Sequence, residues 1–277
     1  MNIPKYVEEF RNEITRKGFR PNTIENYTGC LSLFLKHFEG KQTEPKKINE
    51  DQIKEYLRSF KSHNSQRAHH SAIKCFFHYV IHQPEKFRYI EYCRKDRHMP
   101  IVFSVEEMQR LITACTNIKH KAIICILYSA GLRVGEVINL KVKDIDSDRM
   151  IINILDAKGG KDRQVGLNEP LLNLLREYYK QYRPKEYLFE GQTEPKYSER
   201  SIQQFLKKYA AAAKINKHIH PHLLRHTCGT HMVEDGTDIN LIQKLFGHAN
   251  VKTTNIYLHI SHNHISKIKS PLSNIKL

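Results

Sequence analysis

Through the first eighty residues, apolar side chains recur every three or four positions. Ile3 to Lys17 reads as one helix stopped by Gly18. Asn22, with Glu25 three residues on, spells a capping box for the next helix. There Ile24, Tyr27, Leu31, Phe34, Leu35 and Phe38 fall on one face before Gly40. A third helix starts at Asn49 and places Ile53, Tyr56, Leu57 and Phe60 at helical spacing. Ser65 opens a fourth, with Ala72, Ile73, Phe76, Phe77 and Val80 turned inward. Four helices of this length predict a compact bundle over residues 1–82. Residues 83–102 lose periodicity between Pro84 and Pro100 and gain charge, so they predict a linker.

Beyond residue 103 the pattern is again mostly helical. Ser104 and Glu107 form a capping box, and helices are predicted over 105–115, 119–130 and 133–139. One stretch differs. Residues 150–155 (MIINIL) are β-prone, and 162–167 (DRQVGL) alternate weakly around the turn AKGGK, whose glycines suit a hairpin. Further helices are predicted over 169–182, 198–213, 222–235 and 239–246, with a short one through Tyr257. Neither a repeat nor a low-complexity tract interrupts the chain.

Charge changes the picture more than composition does. The chain of 277 residues carries 45 Lys and Arg against 29 Asp and Glu, a net +16 shared by both halves. A basic surface on both parts suits a protein that grips a polyanion from two sides, because each phosphate contact releases a counterion. The apolar content of 40% suffices for a core, and no apolar run approaches the ~20 residues of a membrane helix. The opening residues MNIPKYVEEF lack a signal-peptide pattern, and six cysteines lie scattered without a CxxC. The expected setting is therefore the reducing cytoplasm.

The chemistry lies between Arg133 and Tyr257. GLRVGE places Arg133 near a helix start, where a guanidinium can hold two phosphate oxygens, with Glu136 one turn on to orient it. AKGGKDR presents Lys158 on the hairpin turn, with Lys161 as its alternative; an ammonium there can protonate a leaving oxygen. His222 and Arg225, at i and i+3, share a helical face and combine a proton carrier with a second phosphate clamp. Gly247 leaves His248 at a helix end, and Thr253 and Thr254 cap a short helix that presents Tyr257. A phenol with pKa ~10 attacks phosphorus only where cations stabilise the charge that develops.

The ordered motifs GLRxGE, KGGKxR, HxLRHTxxTH, FGH and TTxIY resemble those of the tyrosine recombinase (phage integrase) family. The resemblance spans residues 103–260, and residues 1–82 resemble more loosely that family's core-binding domain. It implies a mainly α protein: an N-terminal four-helix, SAM-like core-binding domain, then a mostly helical catalytic domain with a small antiparallel β-sheet. It further implies Tyr257 as the nucleophile and Arg133 and Arg225 as the phosphate clamps. Lys158 becomes the acid for the leaving 5′-oxygen, His222 an aid to proton transfer, and His248 a hydrogen-bond donor to the phosphate. No metal, nucleotide or other cofactor is implied. The implied partner is double-stranded DNA with an inverted-repeat core site. On it the protein would act as a homo-oligomer in a tetrameric synapse, or beside a second recombinase. Residues 261–277 are a tail that could dock on a neighbour through Ile265, Ile268, Leu272 and Ile275.

The chain departs from the family pattern at Phe246, where leucine is usual, and at Cys228 and Gly229, where a bulky apolar residue and alanine are usual. The latter pair is expected to loosen packing behind Arg225. Length suits a simple two-domain member of the Xer type or of a mobile element. Three rivals stay open: a type IB topoisomerase that reseals one duplex, an inert DNA-binding module, and a zinc protein built on His220, His222, His226, His231 and Cys228. The zinc reading lacks a glutamate placed as in HExxH, and no cysteine pair completes a site.

Overall fold

The structure is a computed structural model that describes residues 2–42, 44–92, 101–155, 162–247 and 254–257. It divides into two compact units, Met1–His98 and Met99–Leu277. The first is built on α1 (Ile3–Arg16), α2 (Pro21–His37), α3 (Glu50–Arg58) and α4 (His63–Tyr79). Phe10 and Ile14 of α1, Leu31, Phe34 and Leu35 of α2, Ile53 and Leu57 of α3, and Ile73, Phe76 and Phe77 of α4 form one buried core. The helical spacing seen in the sequence is thus the spacing that buries it.

Two helix starts differ from expectation. Helix α2 begins at Pro21, so Asn22 lies inside it and forms no cap. Proline presets the φ of a first turn and has no N–H to satisfy there. Glu25, freed from a capping role, pairs with Arg11. Helix α4 begins at His63 with Ser62 as its cap, one turn before Ser65. The core also runs past residue 82, where the bundle was expected to end: Pro84–Phe87 forms a 3-10 turn, and Phe87 and Ile90 are buried.

The second unit contains α5 (Val105–Ala114), α6 (Ile118–Ser129), α7 (Val134–Asn139), strands β1 (Ile145–Asp146), β2 (Ile151–Ile154) and β3 (Arg163–Gly166), then α8 (Glu169–Tyr182), α9 (Glu199–Ala212), α10 (Pro221–Glu234) and α11 (Ile239–Phe246). Helix α6 is apolar on most sides and packs against α8, α9 and α10. That is the expected place for a helix with no polar face. The strands form an antiparallel sheet in the order β1-β2-β3, with Ile152 opposite Val165 and Ile154 opposite Arg163. The strand β1 went unforeseen because two residues carry no periodicity. Residues 156–161, with the turn between β2 and β3, lie outside the described residues, as does the tail 261–277.

Phe34 is fully buried against Phe38, Tyr56 and Phe77. Phe34→Ala is expected to destabilise the first unit by about 3–5 kcal/mol. Native-state hydrogen exchange would show that loss in the slowest amides of α2 and α4.

Candidate active site

The helix α7 starts at Arg133, whose backbone N–H donates to Glu136 Oε2 at 2.8 Å. The Arg133 guanidinium donates through Nη1 to Glu136 Oε1 at 2.9 Å. Glu136 thus meets Arg133 through two contacts. Arg163 meets the same carboxylate through Nη1 and Nη2 at 2.9 and 2.7 Å, and its Nε donates to the Leu245 carbonyl at 2.7 Å. Sequence reading missed Arg163 as part of this site. A signal was present: in DRQVGL, Arg163 alternates with Val165 and Leu167, both buried, so the arginine lies on the inward face of β3.

Arg225 is fully buried on α10. Its Nη1 donates to the Gly131 carbonyl, its Nη2 to the Phe246 carbonyl at 2.7 Å, and its Cζ lies 4.3 Å from the centre of the Phe246 ring. Gly131 sits at φ +59°, and a Cβ there would come within 2.3 Å of the Phe246 ring. The departure at Phe246 is therefore integral to the site, because its ring fills the space that Gly131 leaves.

Tyr257 packs its ring on α10. It is 1% exposed, and its ring lies 5.7 Å from those of both His226 and Phe246. A Cβ on Gly229 would sit 2.8 Å from the Tyr257 ring. The bare backbone of Gly229 lets the tyrosine close against the helix. His222 lies one turn before His226, with the two rings 4.3 Å apart.

The charges are crowded. Burial alone would raise the Glu136 carboxyl, but hydrogen bonds from Arg163 and Arg133, with their positive charges, bring it down to about 2. Desolvation, then Arg133, lowers Arg225 to about 10, which still leaves it cationic at neutral pH. Desolvation raises Tyr257 to about 12, against the pull of Arg225 and Arg133. Desolvation, then Arg225, His220 and Arg133, pushes His222 down to about 4. The residue as a whole is exposed, so this lowering reflects the packed side of the ring first and the neighbouring cations second, and the imidazole is neutral at pH 7.

Of the six residues picked out in the sequence, Arg133, His222, Arg225 and Tyr257 come together in one region, with Glu136. Lys158, its alternative Lys161, and His248 lie outside the described residues. The histidines of the zinc reading serve separate ends. The His220 ring caps α10 by accepting from the Leu223 N–H, whereas His231 bridges the Tyr128 hydroxyl and the Phe103 carbonyl. Among the described residues, no group of three or more His, Cys, Asp or Glu is placed to hold a metal.

Comparison with known proteins gives the same outline. Residues 102–264 match the phage integrase family, and residues 6–86 match the N-terminal SAM-like domain of phage integrases. A putative integrase/recombinase of Sinorhizobium fredii, y4qK, is 34% identical over 262 residues, covering 92% of this chain and 84% of the relative. Tyrosine recombinase XerA of Pyrococcus horikoshii is 32% identical over 266 residues, covering 94% and 90%. The crystal structure of a XerA recombinase superposes with a TM-score of 0.57 at 29% identity, covering 96% of each chain.

Two titrations follow from the burial. A phenol raised to about 12 keeps its proton through pH 10, where an ordinary tyrosine ionises. The stability this contributes is present below pH ~10 and lost as pH rises through the folded value. The 295 nm absorbance difference between wild type and Tyr257→Phe should therefore show no phenolate near pH 10. His222 runs the other way. Lowered to about 4, it binds its proton less tightly folded than unfolded, so its contribution is lost as pH falls below the ordinary value of the free side chain. Its ring carbon signal, assigned with His222→Asn, should stay in the neutral position at pH 6.

Proposed function

The chain belongs to the phage integrase family, and on that footing we propose the following roles for its residues. The protein is a site-specific DNA recombinase of the tyrosine class, cutting and rejoining strands through a covalent 3′-phosphotyrosyl link. Tyr257 Oη attacks the scissile phosphorus and gives up its proton as the P–O bond forms. His222, neutral at pH 7, is available to take that proton. Arg133 and Arg225 bear the negative charge that grows on the non-bridging oxygens. The bond to the 5′-oxygen breaks, and Lys158 supplies the proton that oxygen needs. His248 donates a hydrogen bond to the phosphate. A 5′-hydroxyl from the partner strand then attacks the phosphotyrosine and releases Tyr257 as a phenol.

The observation that carries this reading is the packing of Tyr257 against the Phe246 ring that also covers the Arg225 guanidinium, with Arg133 near enough for its charge to be felt. Both guanidinium charges pull its phenol toward ionisation against the effect of burial. A preorganised pair of cations, aimed where charge develops, supplies the largest share of such catalysis. Burial keeps the phenol un-ionised in the free protein.

The remaining assignments are ours as well. The first unit, whose core takes in Phe87 and Ile90, is the core DNA-binding domain, 103–260 the catalytic domain, and 261–277 a tail that docks on a neighbour. The basic charge of both parts supports a duplex held from two sides. The family works on DNA as an oligomer, and a tetrameric synapse is the arrangement we assign here. No helix among the described residues is long and apolar enough to cross a membrane, and we place the work in the cytoplasm.

Nicked duplexes made from DNA flanking the gene test the roles together. Wild type should leave a protease-resistant peptide, linked through Tyr257, on a 3′ end, and should join two separate duplexes. Tyr257→Phe should leave none. Arg133→Ala and Arg225→Ala should cleave about 10²–10³-fold more slowly. Resealing within one duplex without exchange would mark a topoisomerase, and identical products from Tyr257→Phe would mark an inert binding module.

A further inference from the structure

Arg163 is absent from the six residues given roles above, yet it is the most fully engaged cation around them. Its side chain is 8% exposed, and that of Glu136 7%. All three guanidinium nitrogens have partners: two on the Glu136 carboxylate and one on the Leu245 carbonyl. A single planar fork thus joins β3, α7 and α11, elements far apart in sequence. Leu245 and Phe246 end α11, and a helix leaves its last carbonyls without partners of its own. Arg163 takes the first of these, and Arg225 takes the second. Arg163 therefore reaches one phosphate clamp through Glu136 and braces the segment that holds the other.

The division of Glu136 between two arginines is unequal. Arg163 approaches both carboxylate oxygens in the paired geometry that a guanidinium favours. Arg133 gives Glu136 one side-chain bond, through Nη1, besides its backbone N–H. Among the described residues the Arg133 guanidinium makes no other hydrogen bond. A guanidinium has five N–H donors in a fixed fork, so most of those on Arg133 are directed elsewhere. Without Arg163, the carboxylate would offer both oxygens to Arg133, and the buried charge would draw that guanidinium into the paired geometry. A lysine in place of Arg163 keeps the charge but not the fork, because an ammonium is a point donor.

We infer that Arg163 is a positioning residue for strand cleavage. It occupies Glu136 bidentately so that Arg133 stays turned toward the phosphate, and it fixes the end of α11 against which Arg225 is set. This inference deepens the function proposed above and rests on Arg133 and Arg225 being the phosphate clamps.

The test compares Arg163→Met and Arg163→Lys, each alone and with Glu136→Gln. The probe is a nicked duplex that wild type captures covalently from a randomised library. At saturating DNA, Arg163→Met should slow single-turnover cleavage about 10–100-fold, the usual cost of losing a residue that orients a reacting group. Duplex affinity should hold at the wild-type value, and Arg163→Lys should fall between the two. Because Arg163 acts on Arg133 through Glu136, the double variant should be no slower than the slower single one. In the free protein, the guanidinium 15N signals of Arg133, assigned with Arg133→Lys, should move in Arg163→Met. Near-UV circular dichroism checks folding, and the lysine variant decides if the methionine variant does not fold. Wild-type cleavage rates, multiplying losses in the double variant, or unmoved Arg133 signals would each overturn the inference. The 15N arm needs no DNA. If wild type never forms the Tyr257 adduct, the proposed function fails while those signals still decide the role of Arg163.

Discussion

The second unit sets one buried carboxylate among cations that would otherwise repel, and that carboxylate holds them together. Arg133, Arg163 and Arg225 lie close enough that each charge is felt by its neighbours, and Glu136 is the anion set among them. A lone carboxylate in that position would be driven toward its neutral form by burial. Two arginines keep it ionised, and it keeps them ordered. Breaking such a buried set by removing one partner typically costs about 3–5 kcal/mol, because the remaining charge is left uncompensated. The arrangement thus couples stability to readiness: the groups that would receive a phosphate are fixed in place by the same bonds that make their burial tolerable.

Packing turns this electrostatic arrangement into a site. Gly131 at positive φ leaves room for the Phe246 ring, which lies over the Arg225 guanidinium and meets the edge of Tyr257. Gly229 does the same for Tyr257 on α10. Two glycines and one phenylalanine therefore set how Arg225 and Tyr257 pack together. None of the three carries chemistry of its own. A wider residue at either glycine would have to move an aromatic ring that is already fully packed.

The phenol proposed to attack is shielded in the same way. Water is kept from Tyr257, and its phenol is harder to ionise than a free tyrosine, even with two guanidinium charges nearby. The imidazole of His222 stays neutral beside those same charges.

By itself the sequence determined what depends on local periodicity and on residue type. The helices, their caps at Asn49 and Ser104, the β-prone pair around the glycine turn, and the arginine, histidine and tyrosine motifs all follow from neighbours within a few positions. The start of α2 went astray because Pro21 and Asn22 both carry start signals, and the proline prevailed. Only the tertiary structure decided what depends on contacts between distant segments. It showed that Arg163 shares Glu136 with Arg133, that Phe246 covers Arg225, and that Gly229 admits Tyr257. Those partners are separated by 27 residues in the case of Arg163 and Glu136 and by 21 in the case of Phe246 and Arg225. No helical or strand period reaches across such gaps, so the pairing is set by how the elements pack and by the cost of leaving a buried charge alone.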